Sequence, residues 1–585
     1  MNKVLGQLKF YRKEAVLAPL FKLLEATFEL FVPLVMAAIV DNGIATGNKA
    51  YILKQGLLLI FLGVIGLCAS LTAQFFAAKA AVGVATRLRH EMFSHIQSFS
   101  FTDIDRIGTS TLITRITSDI NQVQNGVNMV LRLLLRSPFI VGGACIMALL
   151  IDVKASLIFL IIIPALTIVV CVIMKITIPL YKKVQMRLDE LTGNTRENVA
   201  GVRVIRAFNN EQIQVNEFDA NNEALSSIQV FVGKISGLMN PLTYLIVNAG
   251  IAVLIYKGAL YIDSGRLTQG QVIALINYMS QILVELIKLA NLIVTVTKAV
   301  ACANRVEEVF NVTTDDLPDR ANIKETPDNP AEFKVKESEN DDKYIEFENV
   351  CLTYEGSSDE ALSDISFSVK KGQTVGIIGG TGCGKTSLVH MIPGFYKATK
   401  GTVRIGGVDV KQWNMEKLRE KVGIVMQKAV LFSGTIKENL LWGSDDNTDR
   451  QLWEWLDISQ SKEFVEGKNG QLEASVNAGG KNFSGGQRQR LTIARALARK
   501  PQILILDDSS SALDYATDAK LRTQINALEN MTVFIVSQRT SSISNADMII
   551  VLDDGKIAGI GKHEELLDTC PLYKEIHMTQ VSDIG

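Results

Sequence analysis

An excess of charge of either sign is missing from this 585-residue chain: 60 Lys and Arg stand against 61 Asp and Glu, a formal net charge of −1. With an isoelectric point of about 6.6, that balance argues against a nucleic-acid binder driven by bulk basic charge. Cysteine is sparse. The seven present (Cys68, Cys145, Cys171, Cys302, Cys351, Cys383 and Cys570) form no C-x-x-C pair and no metal-like spacing. That excludes a disulfide scaffold and a zinc module, and fits reduced cytosolic or membrane-buried thiols. Proline is scarce at 12 residues, and charged residues make up 21% of a chain rich in Leu, Ile and Val, which excludes disorder. No internal repeat or low-complexity tract interrupts it. Hydrophobic content of 48% is ordinary for a globular protein, so the average conceals what matters.

The division is sharp. Up to about residue 310 the chain is dominated by long apolar runs, and after about 343 it reads as a soluble α/β domain. A helix needs about 20 apolar residues to cross a hydrocarbon core of about 30 Å. Six segments reach that length, near 15–40, 55–78, 129–151, 155–179, 238–262 and 271–299. The first carries Lys22, Glu25 and Glu29, which are expected to border a water-filled interior or to snorkel toward a face, a substrate contact being the sharper alternative. The long polar links near 79–128 and 180–237 are rich in Lys and Arg, and the positive-inside rule assigns them and both termini to the cytosol. The first apolar segment has no small-residue cleavage site and reads as an anchor. Each long link is expected to be helical, with a polar bend at Phe101–Gly108 and at Arg203–Glu211. The expected organisation is a membrane domain at 1–310, an acidic Pro-broken linker at 311–343 and a soluble domain at 344–585.

Three motifs in the soluble part carry chemistry. The run Thr374-Val375-Gly376-Ile377-Ile378 ends in Gly379-Gly380-Thr381-Gly382-Cys383-Gly384-Lys385-Thr386, followed by Ser387 and an apolar helix start. Glycines let backbone N–H groups curl round a phosphate, Lys385 reaches the terminal phosphates, and Thr386 offers a hydroxyl to Mg²⁺. A second apolar run, Ile503–Leu506, delivers Asp507 and Asp508 to a sheet edge, as Mg²⁺ coordination requires. Between them, Ser484-Gly485-Gly486-Gln487 opens a helix and makes a second anion nest without a lysine. One phosphate loop already binds one nucleotide, so the second nest faces another, which implies a head-to-tail partner.

On these residues the chain resembles the exporter type of ABC half-transporter over nearly its whole length. The resemblance implies a six-helix transmembrane domain followed by an α/β P-loop nucleotide-binding domain with an α-helical signature subdomain. It also implies ATP-driven export of hydrophobic or amphipathic compounds by a multi-pass protein of the cell membrane. ATP and Mg²⁺ are the implied cofactors. The partners are a second half-transporter (in a heterodimer, or in a homodimer), membrane lipid, and a small amphipathic, lipid or peptide substrate, with no nucleic acid. Carried onto this sequence, Tyr354 matches the adenine-stacking aromatic, Gln427 the glutamine near Mg²⁺ and the transmission interface, Asp507 the Mg²⁺-associated Asp, and Asp514 the following D-loop Asp.

Two departures matter. The family usually has Glu where this chain has Asp508, one methylene or about 1.5 Å shorter, and a misplacement of about 1 Å can cost about 10²-fold in rate. It usually has His where this chain has Gln538, an amide that cannot exchange a proton near pH 7. An intact signature beside these two changes suggests a heterodimer, with a slow site on this chain's phosphate loop and a competent site on the partner. Ala478 stands where many exporters carry Glu in the domain-crossing loop. Cys383, inside the loop, is expected to be small packing and, at a helix N-terminus, reactive. A nucleotide-gated channel or regulatory subunit shares the architecture and would show conductance without accumulation. A soluble DNA-acting ATPase is disfavoured by six spans, and an importer by the fusion of both parts on one chain.

Overall fold

The computed structural model describes residues 3, 6–312, 343–444, 446–528 and 530–582; the expected linker lies almost wholly outside them. The chain divides into two compact units, Met1–Gln97 with Ser110–Val312, and Ser98–Thr109 with Thr313–Gly585.

In the first unit, six helices among the described residues are long and apolar enough to cross a membrane: Gln7–Ile44, Lys49–Ile96, Thr109–Ile151, Val153–Ala200, Glu211–Asp263 and Gln269–Phe310. Lys49–Ile96 is one helix of 48 residues, about 72 Å long at 1.5 Å per residue, more than twice the thickness of a bilayer core. In a medium as apolar as the side chains themselves, helices associate through close packing of small residues. Here Ala69, Ala73, Ala77, Ala80, Ala81 and Ala85 form a buried stripe on the second span. Between the third and sixth spans the approach is closer still: a Cβ on Gly126 would meet the Ala299 Cβ at 2.2 Å.

The charges of the first span do not stand alone. Arg136, 7% exposed, donates to Glu285 and to Glu29 at 2.6 Å each. Glu285 also accepts from the Ser137 hydroxyl and the Lys288 ammonium, both at 2.8 Å. Lys22 bonds Glu25 at 2.5 Å and the Ser70 hydroxyl at 3.1 Å. Buried ions persist in a low-dielectric interior only when paired and hydrogen-bonded. This network is a lateral bond between spans, which the isolated charges in the sequence do not announce.

The second unit is built on a six-stranded sheet, in the order Lys556–Gly561, Met548–Asp553, Thr374–Gly379, Thr532–Val536, Ile503–Asp507 and Val422–Val425. All neighbours run parallel except the first pair. Ile503–Asp507 and Thr532–Val536 are buried throughout, as strands covered on both faces must be. An antiparallel four-stranded sheet that includes Ile345–Thr353 and Glu360–Val369 closes one core around Phe347, Phe367 and Ile377. A separate core, with Leu452, Leu456, Val465, Phe483 and Leu491, holds the helical subdomain of Asp449–Ile458, Lys462–Glu466 and Gly485–Ala498.

The first polar bend belongs to this second unit. It is a short helix, Phe101–Ile107, closed by a reciprocal cap between Ser100 and Asp103. Phe101 stacks on Phe395 with centroids 4.2 Å apart, and the Tyr396 hydroxyl donates to Asp105 at 2.7 Å. The second bend, Val202–Ala207, is a short helix of the first unit that leaves Phe208 72% exposed.

Candidate functional site

Parallel pairing aligns the carboxyl ends of four strands. Val536 lies opposite both Ile377 and Asp507, and Val425 opposite Leu506. The residues just beyond those ends (the phosphate loop, Asp508, Gln538 and Gln427) are therefore delivered to one edge, where open α/β sheets bind ligands. They border a cavity of about 260 Å³ lined by Thr381, Gly382, Gly384, Lys385, Thr386, Ser387, Tyr354, Gln427, Asp507, Asp508 and Gln538, among others.

The loop turns tightly into the helix Lys385–His390. Gly384 has φ +95°, and a Cβ there would lie 2.8 Å from the Ala361 carbonyl, so only glycine fits. The Lys385 ammonium is folded over the loop, donating to Gly379 O at 3.0 Å and Gly380 O at 2.5 Å. Gly379, Gly380 and Cys383 do not line the cavity. Cys383 is 6% exposed and packs into the core behind the loop, as the packing role requires, and the Lys385 ammonium lies 3.6 Å from its sulfur, the kind of cation that a reactive thiol would need.

The Thr386 hydroxyl donates to Asp507 Oδ1 at 3.1 Å. The other carboxylate oxygen, Oδ2, is buried without a hydrogen-bond partner; the nearest polar atom recorded for it is Nε2 of His390, at 3.6 Å. Burial lowers the His390 pKa to about 4, so at neutral pH the imidazole carries no charge to offset the carboxylate. Asp507 is pushed up to about 6, chiefly by burial, with the neighbouring Asp508 adding to the rise while Thr386 and Lys385 oppose it. An orphaned, desolvated carboxylate beside a hydroxyl and the Gln427 amide is a hard oxygen set. It fits Mg²⁺, which takes one or two carboxylates and completes its shell with phosphate and water.

Asp508 starts the turn after its strand with φ +48°, a conformation that short polar side chains tolerate. Its Oδ2 accepts from Gln427 Nε2 at 3.3 Å, and its N–H donates to Val536 O at 3.0 Å. Gln538 follows Val536 by two residues and is exposed at the cavity rim. Tyr354 also lines the cavity, its hydroxyl 2.7 Å from the Ser387 hydroxyl and its ring edge-on to Tyr396 at 5.1 Å.

Ser484 to Gln487 are not brought to this cavity. They open the helix Gly485–Ala498 with a reciprocal cap: Gln487 N–H to Ser484 Oγ at 3.2 Å, and Ser484 N–H to Gln487 Oε1 at 3.1 Å. Ser484 and Gly485 are exposed, and the turn lies outside the lining of the chain's own phosphate-loop cavity. Asp514 caps the next helix, accepting from Thr517 N–H at 3.0 Å, and does not line the cavity. Sequence reasoning missed His390 and the terminal-helix residue Gln580. Neither lies in a motif, and only three-dimensional contact reveals them.

The geometry defines a phosphate-loop ATPase domain, joined in one chain to a bundle of membrane-length helices. The family model of the ABC transporter transmembrane region matches residues 16–286, and a second family model, described as ABC transporter, matches residues 362–511. The chain is 36% identical over 577 residues to an uncharacterized ABC transporter ATP-binding protein of Mycobacterium tuberculosis, covering 97% of this chain and 96% of that protein. It is 26% identical to an ATP-dependent lipid A-core flippase of Haemophilus ducreyi, over 98% of this chain and 96% of the relative. A solved bacterial Atm1-family ABC exporter with ATP bound shares the fold, with a TM-score of 0.79, 22% identity and coverage of 97% and 98%. The protein belongs to the ABC transporter family, as an exporter-type half-transporter with a six-helix membrane domain fused to an ATPase domain.

Proposed function

We propose that the chain exports hydrophobic or amphipathic compounds across the cell membrane at the expense of ATP, as the slow-site half of a heterodimer. The observation that carries the slow site is a pair of residues lining the same cavity as Thr386 and Asp507: a short Asp508 already engaged by Gln427, and an amide, Gln538, where an imidazole would act.

In this reading Tyr354 stacks the base, the loop N–H groups from Thr381 to Thr386 hold the phosphates, and Lys385 leaves its carbonyl partners for the terminal phosphate. Asp507, Thr386 and Gln427 would hold Mg²⁺, which would supply neutralisation of the charge gathering on the phosphate oxygens. Asp508 orients water from about 1.5 Å too far, and Gln538 contributes a hydrogen bond but no proton transfer. The signature turn, Ser484 to Gln487, closes over the partner's nucleotide and completes the faster site. ATP stabilises the closed pair because it binds that state more tightly, and hydrolysis on the partner's side reopens it. The bends at Phe101–Gly108 and Arg203–Glu211 carry the movement to the spans, and both termini of the chain lie in the cytosol. The flippase relative supports an amphipathic or lipid cargo.

The export reading is tested in inside-out vesicles holding this chain and its co-purified mate. ATP should drive an amphipathic fluorescent probe into the lumen against its gradient, and Lys385→Ala in this chain should reduce that uptake. Ion conductance without accumulation of any probe would contradict export.

A further inference from the structure

The last helix of the chain, Pro571–Ser582, reaches the loop that carries Gln538. Gln580 Nε2 donates to the Gln538 backbone carbonyl at 2.6 Å. Its Oε1 accepts from the Thr540 N–H at 2.8 Å and from the Thr540 hydroxyl at 3.0 Å. One turn back, His577 Nδ1 lies 3.1 Å from the same hydroxyl. Residues 577 and 580 share a helix face, so both grip one short segment.

The helix itself is anchored. Tyr573 is fully buried, and its hydroxyl lies 2.6 Å from His563 Nδ1. From the other side, Arg539 Nη1 donates to Leu513 O at 3.4 Å, beside Asp514, and Ser537 N–H donates to Ile377 O at 3.0 Å, on the phosphate-loop strand. The Gln538 backbone is thus fixed at both ends, while its side chain stays exposed at the cavity rim.

We propose that Gln580 is a positioning residue for the ATP site: the terminal helix clasps residues 538–540 and sets the backbone from which the Gln538 amide addresses the terminal phosphate. A side-chain amide suits this task, because it donates to one backbone carbonyl and accepts from another N–H at the same time. A glutamate would keep only the acceptor half. The proposal rests on the reading that Gln538 faces the terminal phosphate.

The test uses the full-length chain in detergent or nanodiscs, with wild type, Gln580→Ala, Gln580→Glu, Gln538→Ala and the double variant Gln538→Ala/Gln580→Ala. Three quantities are read: affinity for a fluorescent ATP analogue, the single-turnover rate of ATP cleavage with protein in excess, and melting temperature. The expected result is analogue affinity within about twofold of wild type, with cleavage slowed about tenfold in both Gln580 variants, as for a sub-ångström misplacement. The double variant should be no slower than Gln538→Ala alone, since the two residues act as a unit. Should Gln580→Ala melt early, Gln580→Glu, which keeps the Thr540 contact, decides the matter. Multiplying effects in the double variant, or unchanged cleavage in Gln580→Glu, would overturn the clasp while Gln538→Ala still slows the reaction. An unaffected Gln538→Ala would instead overturn the role of Gln538, and the clasp with it.

Discussion

Replacing Asp507 by Asn should stabilise the nucleotide-free protein while disabling Mg²⁺-dependent ATP binding. In the folded chain this carboxylate is 1% exposed, one of its oxygens has no partner, and its pKa is raised to about 6. An unfolded Asp titrates near 3.9, so the folded state binds the proton more tightly. Stability from this group is fully present below about pH 4, is lost as pH rises toward about 6, and stays lost above it. A rise of about 2 pH units at about 1.4 kcal/mol each sets the cost at neutral pH at about 3 kcal/mol. Asn keeps the shape and sheds the charge, so that cost disappears. For a domain of this size, about 2–4 °C per kcal/mol makes the expected gain several degrees. The assay is melting of full-length protein in detergent with EDTA and no nucleotide, from pH 5 to 8. The advantage of Asp507→Asn should be largest at pH 7–8 and shrink toward pH 5. A variant that is less stable throughout, or an advantage independent of pH, would refute the buried unpaired charge.

Removing the central cation of the membrane bundle with Arg136→Ala should leave Glu285 to Ser137 and Lys288 alone and deprive Glu29 of its guanidinium, at a cost below the roughly 3–5 kcal/mol of a fully stranded buried pair, seen as a lower melting temperature that Glu285→Gln partly restores. Asp508→Glu combined with Gln538→His should lengthen the reach and supply a titrating group, raising this chain's own turnover by about 10²-fold in a phosphate-release assay. Tyr396→Phe deletes the 2.7 Å bond to Asp105; basal ATP cleavage should persist while stimulation by transported compounds falls, read as the ratio of the two rates.

Much of the fold was legible because its signals are local. Spans show themselves by run length, and the phosphate loop and Asp507 by a strand followed by a turn, since the chemistry requires that order along the chain. The charge network was not, because Arg136 meets Glu29 and Glu285 across 107 and 149 residues, and isolated charges in an apolar run do not name their partners. Nor was the orientation of Cys383: a position within the loop does not say whether the thiol faces phosphate or core. Gln580 was invisible for a third reason, since its contacts are made to two backbone groups and one hydroxyl 40 and 42 residues away and leave no trace in the sequence pattern. In the case of Asp508, sequence gave the missing methylene, and the structure adds its left-handed backbone and its bond to Gln427.

The central claim, that this chain holds ATP at its own phosphate loop but cleaves it slowly, is tested most directly by steady-state ATP turnover of the purified chain without any mate. The account predicts saturable ATP binding with turnover far below the ~10 per second of a typical enzyme, rising when the mate is added. Turnover near that typical value by the lone chain, abolished by Asp508→Ala, would contradict it.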